Sequence, residues 1–177
     1  MKLYKLIFLI SIPLWVSACK DEPESPLKGC CDNPAINEAV GNGHIYVPNI
    51  FTPNGDGIND ILTISTDSID LIINVEVRNK EGITVFESST VQINNPSTCW
   101  NGQVNGVVIE GLYTISVSVL AADGTNHTVT GTACNFPCDG SNHAGTVSFE
   151  NCQFPAQVTD GQFDLTLPNF EPEHCLE

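Results

Sequence analysis

The sequence predicts an all-β protein, a β-sandwich continued by a cysteine-rich C-terminal extension. Apolar side chains recur at every second position in several stretches, the period of a half-buried strand. Asn-Gly and Asp-Gly pairs fall between those stretches, where tight turns need residues that accept positive φ. Beyond residue 18 no stretch carries the 3.6-residue period of an amphipathic helix. At 177 residues with 41% apolar side chains the chain can build one core of ordinary size.

Taken in order, the expected strands are His44–Val47, Ile61–Ser65, a stretch through Val75 and Val77, Ile83–Glu87, Val91–Ile93, Val107–Ile109, Tyr113–Val119, Asn126–Ala133, Thr146–Phe149 and Phe163–Leu167. Tyr113, Ile115, Val117 and Val119 alternate with Thr114, Ser116 and Ser118, the clearest inward-outward pattern in the chain. Turn signals stand at Asn54-Gly55-Asp56-Gly57, Glu81-Gly82, Asn101-Gly102, Asn105-Gly106, Asp123-Gly124, Asp139-Gly140 and Asp160-Gly161. The division expected is a signal peptide at 1–18, an acylated tether at 19–43, the sandwich at 44–133 and a disulfide-stapled β extension of the same domain at 134–177.

The N-terminus reads as a targeting signal. Met1-Lys2-Leu3-Tyr4-Lys5 is a basic start, and Leu6 to Val16 form an apolar run of eleven residues. That run is short of the roughly 20 residues a membrane-spanning helix needs, and fits the apolar core of a signal peptide. Val16-Ser17-Ala18-Cys19 resembles a lipobox, which implies cleavage before Cys19 and its acylation; two or three acyl chains give stable membrane residence where one does not. The following Lys20-Asp21-Glu22-Pro23-Glu24 resembles the lipoprotein export signal of the Bacteroidota, which implies the outer face of the outer membrane.

The charge balance restricts the partners. Lys and Arg total 6 against 21 Asp and Glu, a net charge of −15. Without Lys2 and Lys5 the mature chain keeps 4 basic and 21 acidic residues, hence −17. Such a surface repels phosphate backbones, so nucleic acid is excluded as a partner. No Ser/His/Asp or Cys/His grouping emerges from the four scattered histidines, and no catalytic residue is assigned; the protein is expected not to be an enzyme.

The cysteines indicate an oxidising compartment. With Cys19 lipidated, the disulfide candidates are Cys30, Cys31, Cys99, Cys134, Cys138, Cys152 and Cys175. Seven is odd, so one at least stays unpaired within the chain. Adjacent Cys30 and Cys31 are poorly placed to pair with each other, and are expected to staple the N-terminal segment to the domain. The four late cysteines suggest two bridges holding the tail. Zinc on Cys134, Cys138, His143, Cys152, His174 and Cys175 is the competing reading; it lacks a paired Cys-x-x-Cys knuckle.

Residues 47–60 read Val-Pro-Asn-Ile-Phe-Thr-Pro-Asn-Gly-Asp-Gly-Ile-Asn-Asp. A valine-rich strand at Ile73–Asn79, the run Gly82-Ile83-Thr84-Val85-Phe86-Glu87, Trp100-Asn101-Gly102 and Glu110-Gly111-Leu112-Tyr113 follow in that order. Together they resemble the gliding-motility-associated C-terminal domain, the type B sorting domain of type IX secretion, over about residues 45–133. The resemblance implies an immunoglobulin-like sandwich. Two departures are visible. Arg78-Asn79-Lys80-Glu81-Gly82 replaces the family's Asn-Arg-Trp-Gly turn, and 44 residues with four cysteines follow the module.

The acidic loop is the candidate site. Asn54, Asp56, Asn59 and Asp60, with the Ile58 carbonyl, offer oxygen ligands around two glycines, as a hard cation such as calcium requires. A bidentate Glu at the end of an EF-hand-like register is missing, since Thr63 stands there. The alternative is a tight turn whose Asx side chains cap their own backbone. No other cofactor is indicated. The expected function is a non-enzymatic, outer-membrane-anchored, gliding-associated surface lipoprotein for adhesion or envelope assembly. Its partners would be the membrane, through the acyl chains, and an envelope or surface protein or glycan. The alternative is a type IX cargo or accessory using the module for sorting or docking.

Overall fold

In the computed structural model the described residues are 24–138, 147–159, 162–164 and 166–176. The signal peptide, Cys19, the acidic patch through Pro23, the Asp139-Gly140 and Asp160-Gly161 turns, His143, Thr146 and Leu165 lie outside them.

The protein is all-β, as the alternation predicts. Its strands are β1 (Ile36–Val40), β2 (Gly43–Val47), β3 (Ile50–Phe51), β4 (Ser65–Asp67), β5 (Ile69–Arg78), β6 (Thr84–Ser88), β7 (Gln103–Val104), β8 (Val107–Val108), β9 (Gly111–Ala121), β10 (Asn126–Asn135), β11 (Val158–Thr159) and β12 (Gln162–Phe163). A one-turn helix, α1 (Glu173–Leu176), follows. Five strands form one sheet in the order β3-β10-β9-β5-β6, antiparallel except where β3 runs parallel to β10. A smaller sheet has the order β1-β2-β4.

The two sheets share one core. Ile36, Val40, Ile45 and Val47 from the smaller sheet meet Ile72, Val75, Val77, Val117, Val119 and Val129 from the larger. Each such side chain contributes about 1.5–3 kcal/mol when fully buried. In β9 every odd position from Gly111 to Ala121 is buried and the even ones are not. Trp100 and Tyr113 are core anchors, edge to face at 4.9 Å between ring centroids, with Phe51 5.4 Å from Trp100 on its other flank. The two-residue turn Asn105-Gly106 joins β7 to β8, and a four-residue turn containing Asp123-Gly124 joins β9 to β10, with Asn105, Gly106 and Gly124 at positive φ.

Several expected strands need correction. Val91–Ile93 is not a strand: Val91 is buried in the core, but Asn94 turns to φ 51 just after it. That turn serves the neighbouring edge. The Asn94 amide accepts from Thr66 N (2.9 Å) and donates to Thr66 O (3.1 Å), so it takes the place of a further strand beside β4. Of Ile61–Ser65 only Leu62 pairs, with Trp100, before β4 begins. Phe149–Asn151 is a 3₁₀ turn in place of the strand expected there, because Phe149 packs edge to face on Phe136.

The stretch assigned to a tether, 19–43, is largely built into the fold. β1 pairs with the full length of β2, and Leu27, Cys30 and Cys31 are buried. β1 escaped notice because only Ile36 and Val40 of its five residues are buried, without alternation. The extension packs across the outer face of the smaller sheet, where Phe163 stacks on Tyr46 at 5.5 Å. Burial on both sides makes Tyr46 hard to ionise, and desolvation pushes its hydroxyl well above the usual phenol range.

A second apolar cluster gathers the cysteines. Leu27, Ile50, Phe136 and Phe154 surround Cys30–Cys134, Cys31–Cys152 and Cys138–Cys175, with Cα separations of 5.6, 5.0 and 5.3 Å. Both early cysteines therefore staple the N-terminal segment, as expected. The two tail bridges inferred from the late cysteines reduce to one, since Cys134 and Cys152 pair with the N-terminal segment. Among the described residues Cys99 is the unpaired cysteine, packed against the main core and not with the other six. The sulfurs needed for a zinc centre are thus engaged in disulfides.

Candidate functional site: the signature loop and what covers it

The loop after β3 is shaped by its own side chains. Gly55 and Gly57 take φ of 84° and 89°, which side-chain-bearing residues rarely adopt. Asn54 Oδ1 accepts from Asp56 N (3.0 Å), and Asp56 Oδ1 accepts from Ile58 N (2.7 Å), two successive Asx turns. The Asp60 carboxylate bridges the turn, accepting from Gly55 N and Gly57 N at 2.7 Å each. Thr52 N donates to Asn59 O (2.8 Å) and closes the loop at its base.

This geometry sorts the five candidate calcium ligands into two groups. Asn54, Asp56 and Asp60 stay in the loop, with oxygens on backbone N–H groups. Asn59 is turned away from them and 7% exposed, and the Ile58 carbonyl faces the Thr52 hydroxyl at 3.5 Å. Asn59 therefore faces the extension while Asn54, Asp56 and Asp60 face the loop's own backbone. Among the described residues no three carboxylate, histidine or cysteine side chains lie within reach of a common metal ion.

What sequence reasoning missed is the partner of this segment. Asn49, Thr52 and Asn59 are all buried, and each is satisfied by residues about a hundred positions away. Asn49 donates through Nδ2 to Asn151 O (3.0 Å) and accepts at Oδ1 from Gln153 N (2.7 Å); it also donates to Asn33 O (2.9 Å). Asn59 accepts at Oδ1 from Ala156 N (2.8 Å) and donates through Nδ2 to Asn169 O (2.8 Å). Thr52 Oγ1 and Asn59 Nδ2 then converge on a single oxygen, Glu171 Oε1, at 2.6 Å each.

Glu171 is itself buried, and its second oxygen, Oε2, has no hydrogen-bond partner. Desolvation raises its carboxyl above the ordinary range; the bonds from Thr52 and Asn59 oppose this, and the charges of Asp56 and Asp60 add to it. Beside it runs a groove of about 510 Å³, lined by Ile58, Ile61, Pro96, Pro155 and Phe170. No local sequence signal announces Glu171; it reads as one more acidic residue in an acidic tail.

Residues 45–132 match the CHU_C type IX secretion signal domain. These residues belong to that family. The match spans β2 through most of β10 and includes the whole signature segment, in agreement with the resemblance read from the motif order. No curated protein matches the chain. A type IX secretion signal domain is a sorting element, so the chain is related to type IX sorting and to surface-associated export. The segments that seal the signature, 149–156 and 169–171, lie outside the matched residues, as does β1.

Proposed function

We propose that the protein is a non-enzymatic surface lipoprotein in which an immunoglobulin-like sorting-domain fold serves as a rigid module for adhesion or envelope assembly. The observation that carries this reading is the disulfide-knit N-terminal segment. Cys30 and Cys31 bind the start of the domain to Cys134 and Cys152, and Leu27 before them is fully buried. Bridges of that kind persist in an oxidising exterior compartment. Seven residues separate Cys19 from Leu27, a reach of roughly 29 Å at most, so acyl chains on Cys19 would hold the module close to the outer membrane. The acidic surface suits an envelope or surface protein, or a glycan, and opposes polyanions.

The test is metabolic labelling with a fatty-acid analogue. The wild-type protein is expected to take up label and to be reached by surface proteolysis of intact cells. Cys19→Ala is expected to abolish the label and release the protein in soluble form. Label that persists in Cys19→Ala would defeat the anchoring half of the proposal.

A second reading, cargo or accessory of type IX secretion, is favoured by the family match. It predicts that residues 20–177 behind an ordinary signal peptide still reach the exterior when a type IX apparatus is present, and stay periplasmic when it is disabled.

A further inference from the structure

The polar face of the signature segment is built to hold a peptide. Asn49 and Asn59 each present an amide donor and an amide acceptor to backbone groups of the extension, the pattern by which a side chain substitutes for a neighbouring strand. The backbone N–H of Asn49 adds a third contact to this segment, donating to Gln153 O at 3.2 Å. These contacts read main chain and tolerate many sequences. One position is chemically selective: Thr52 Oγ1 and Asn59 Nδ2 donate together to one carboxylate oxygen. Next to it the apolar groove remains open, with Phe170 58% exposed at its rim.

The resident carboxylate fits imperfectly. Glu171 Oε2 is buried without a partner, and the charges nearest it, Asp56 and Asp60, are of like sign. An unsatisfied buried oxygen costs about 1–3 kcal/mol. The 169–171 strap is therefore held less firmly than its hydrogen-bond list alone implies. Its fastening is the Cys138–Cys175 bridge, four residues beyond Glu171.

We propose that Thr52 and Asn59 form a docking face for a carboxylate-bearing peptide segment, and that the 169–171 strap is an exchangeable occupant supplied by the chain itself. A partner of matching chemistry would bring a segment turned as the strap is, with Phe170 at φ 62, carrying a carboxylate for Thr52 and Asn59 and an apolar side chain for the groove. The face belongs to the sorting-domain signature and its occupant does not, so the inference holds for either route of export.

The experiment uses the full chain carrying Cys138→Ala and Cys175→Ala, with a labelled synthetic peptide of residues 167–173 as probe. The wild-type chain is expected not to bind it. The unfastened chain is expected to bind, at least about tenfold more weakly when the peptide's Glu171 is replaced by Ala, and to lose binding on Asn59→Ala. Equal binding of the two peptides overturns the proposal, as does no binding when the amides of 169–171 exchange freely with solvent. Continued protection of those amides in the unfastened chain overturns it too, because the strap would then be permanent structure. Should the unfastened chain not fold, Glu171→Ala with all bridges intact gives the answer. Acetate in mildly acidic buffer is expected to raise its melting temperature saturably above a chloride control, and the absence of any rise defeats the proposal.

Discussion

The sandwich body and the cysteine-rich end are held together by different physics. In the body, β5, β9 and β10 pair over about ten residues each, and their inward side chains are almost all aliphatic or aromatic. At the other cluster strands shrink to two residues, and order comes from three disulfides and from amide side chains bonded to distant backbone. Burial is non-directional and shared among many groups, so the body tolerates local variation. Disulfides and buried amides are specific, so the extension depends on a few named residues.

The sharpest way to break the body is Trp100→Ala. It removes the ring packed between Phe51 and Tyr113 and the Nε1 bond to Gln103 O (3.1 Å). A loss of about 3–5 kcal/mol is expected, read as a single cooperative shift of the denaturant midpoint affecting both regions.

Asn49→Ala is expected to cost less, about 1–3 kcal/mol, and to act on one region only. Backbone amides of 149–156 should lose protection from hydrogen exchange while those of β9 keep theirs. Equal loss in both regions would show that the extension and the body unfold as one unit.

The smallest effect is expected from pH. Because burial raises the Glu171 carboxyl, the folded state keeps that proton to higher pH than the unfolded chain does. Its contribution is therefore complete below the ordinary carboxyl range and is lost as pH rises through the folded-state value. Glu171→Gln should flatten that part of the stability-pH curve and leave the chain relatively more stable at neutral pH. A curve unchanged by the substitution would mean that Glu171 does not titrate as its surroundings dictate.

The body was largely legible in the sequence because its signals are local. The alternation from Tyr113 to Val119 states which side chains point inward, and Asn105-Gly106 and Asp123-Gly124 state where the chain reverses. Trp100-Asn101-Gly102 was legible as a motif, and the structure supplies its reason: a Cβ on Gly102, at φ 78°, would lie 2.8 Å from Asn135 Nδ2 and 2.9 Å from Pro53 Cγ. The cysteine-rich end was not legible because its determinants are long-range. Nothing near Cys30 names Cys134 as its partner, and nothing near Asn59 names Glu171. The acidic loop was ambiguous for a related reason. Oxygen-rich side chains beside glycine serve a cation and an Asx turn equally well, and only the positions of the backbone N–H groups distinguish the two.

The single amide of Asn94 has a consequence beyond the turn it forms. By occupying both outward hydrogen-bonding groups of Thr66, it leaves the smaller sheet nothing at that margin for a neighbouring molecule to extend. Proteins crowded side by side on an exterior surface meet one another constantly, and a bare strand there invites runaway polymerisation. Here one side chain closes that margin of the smaller sheet.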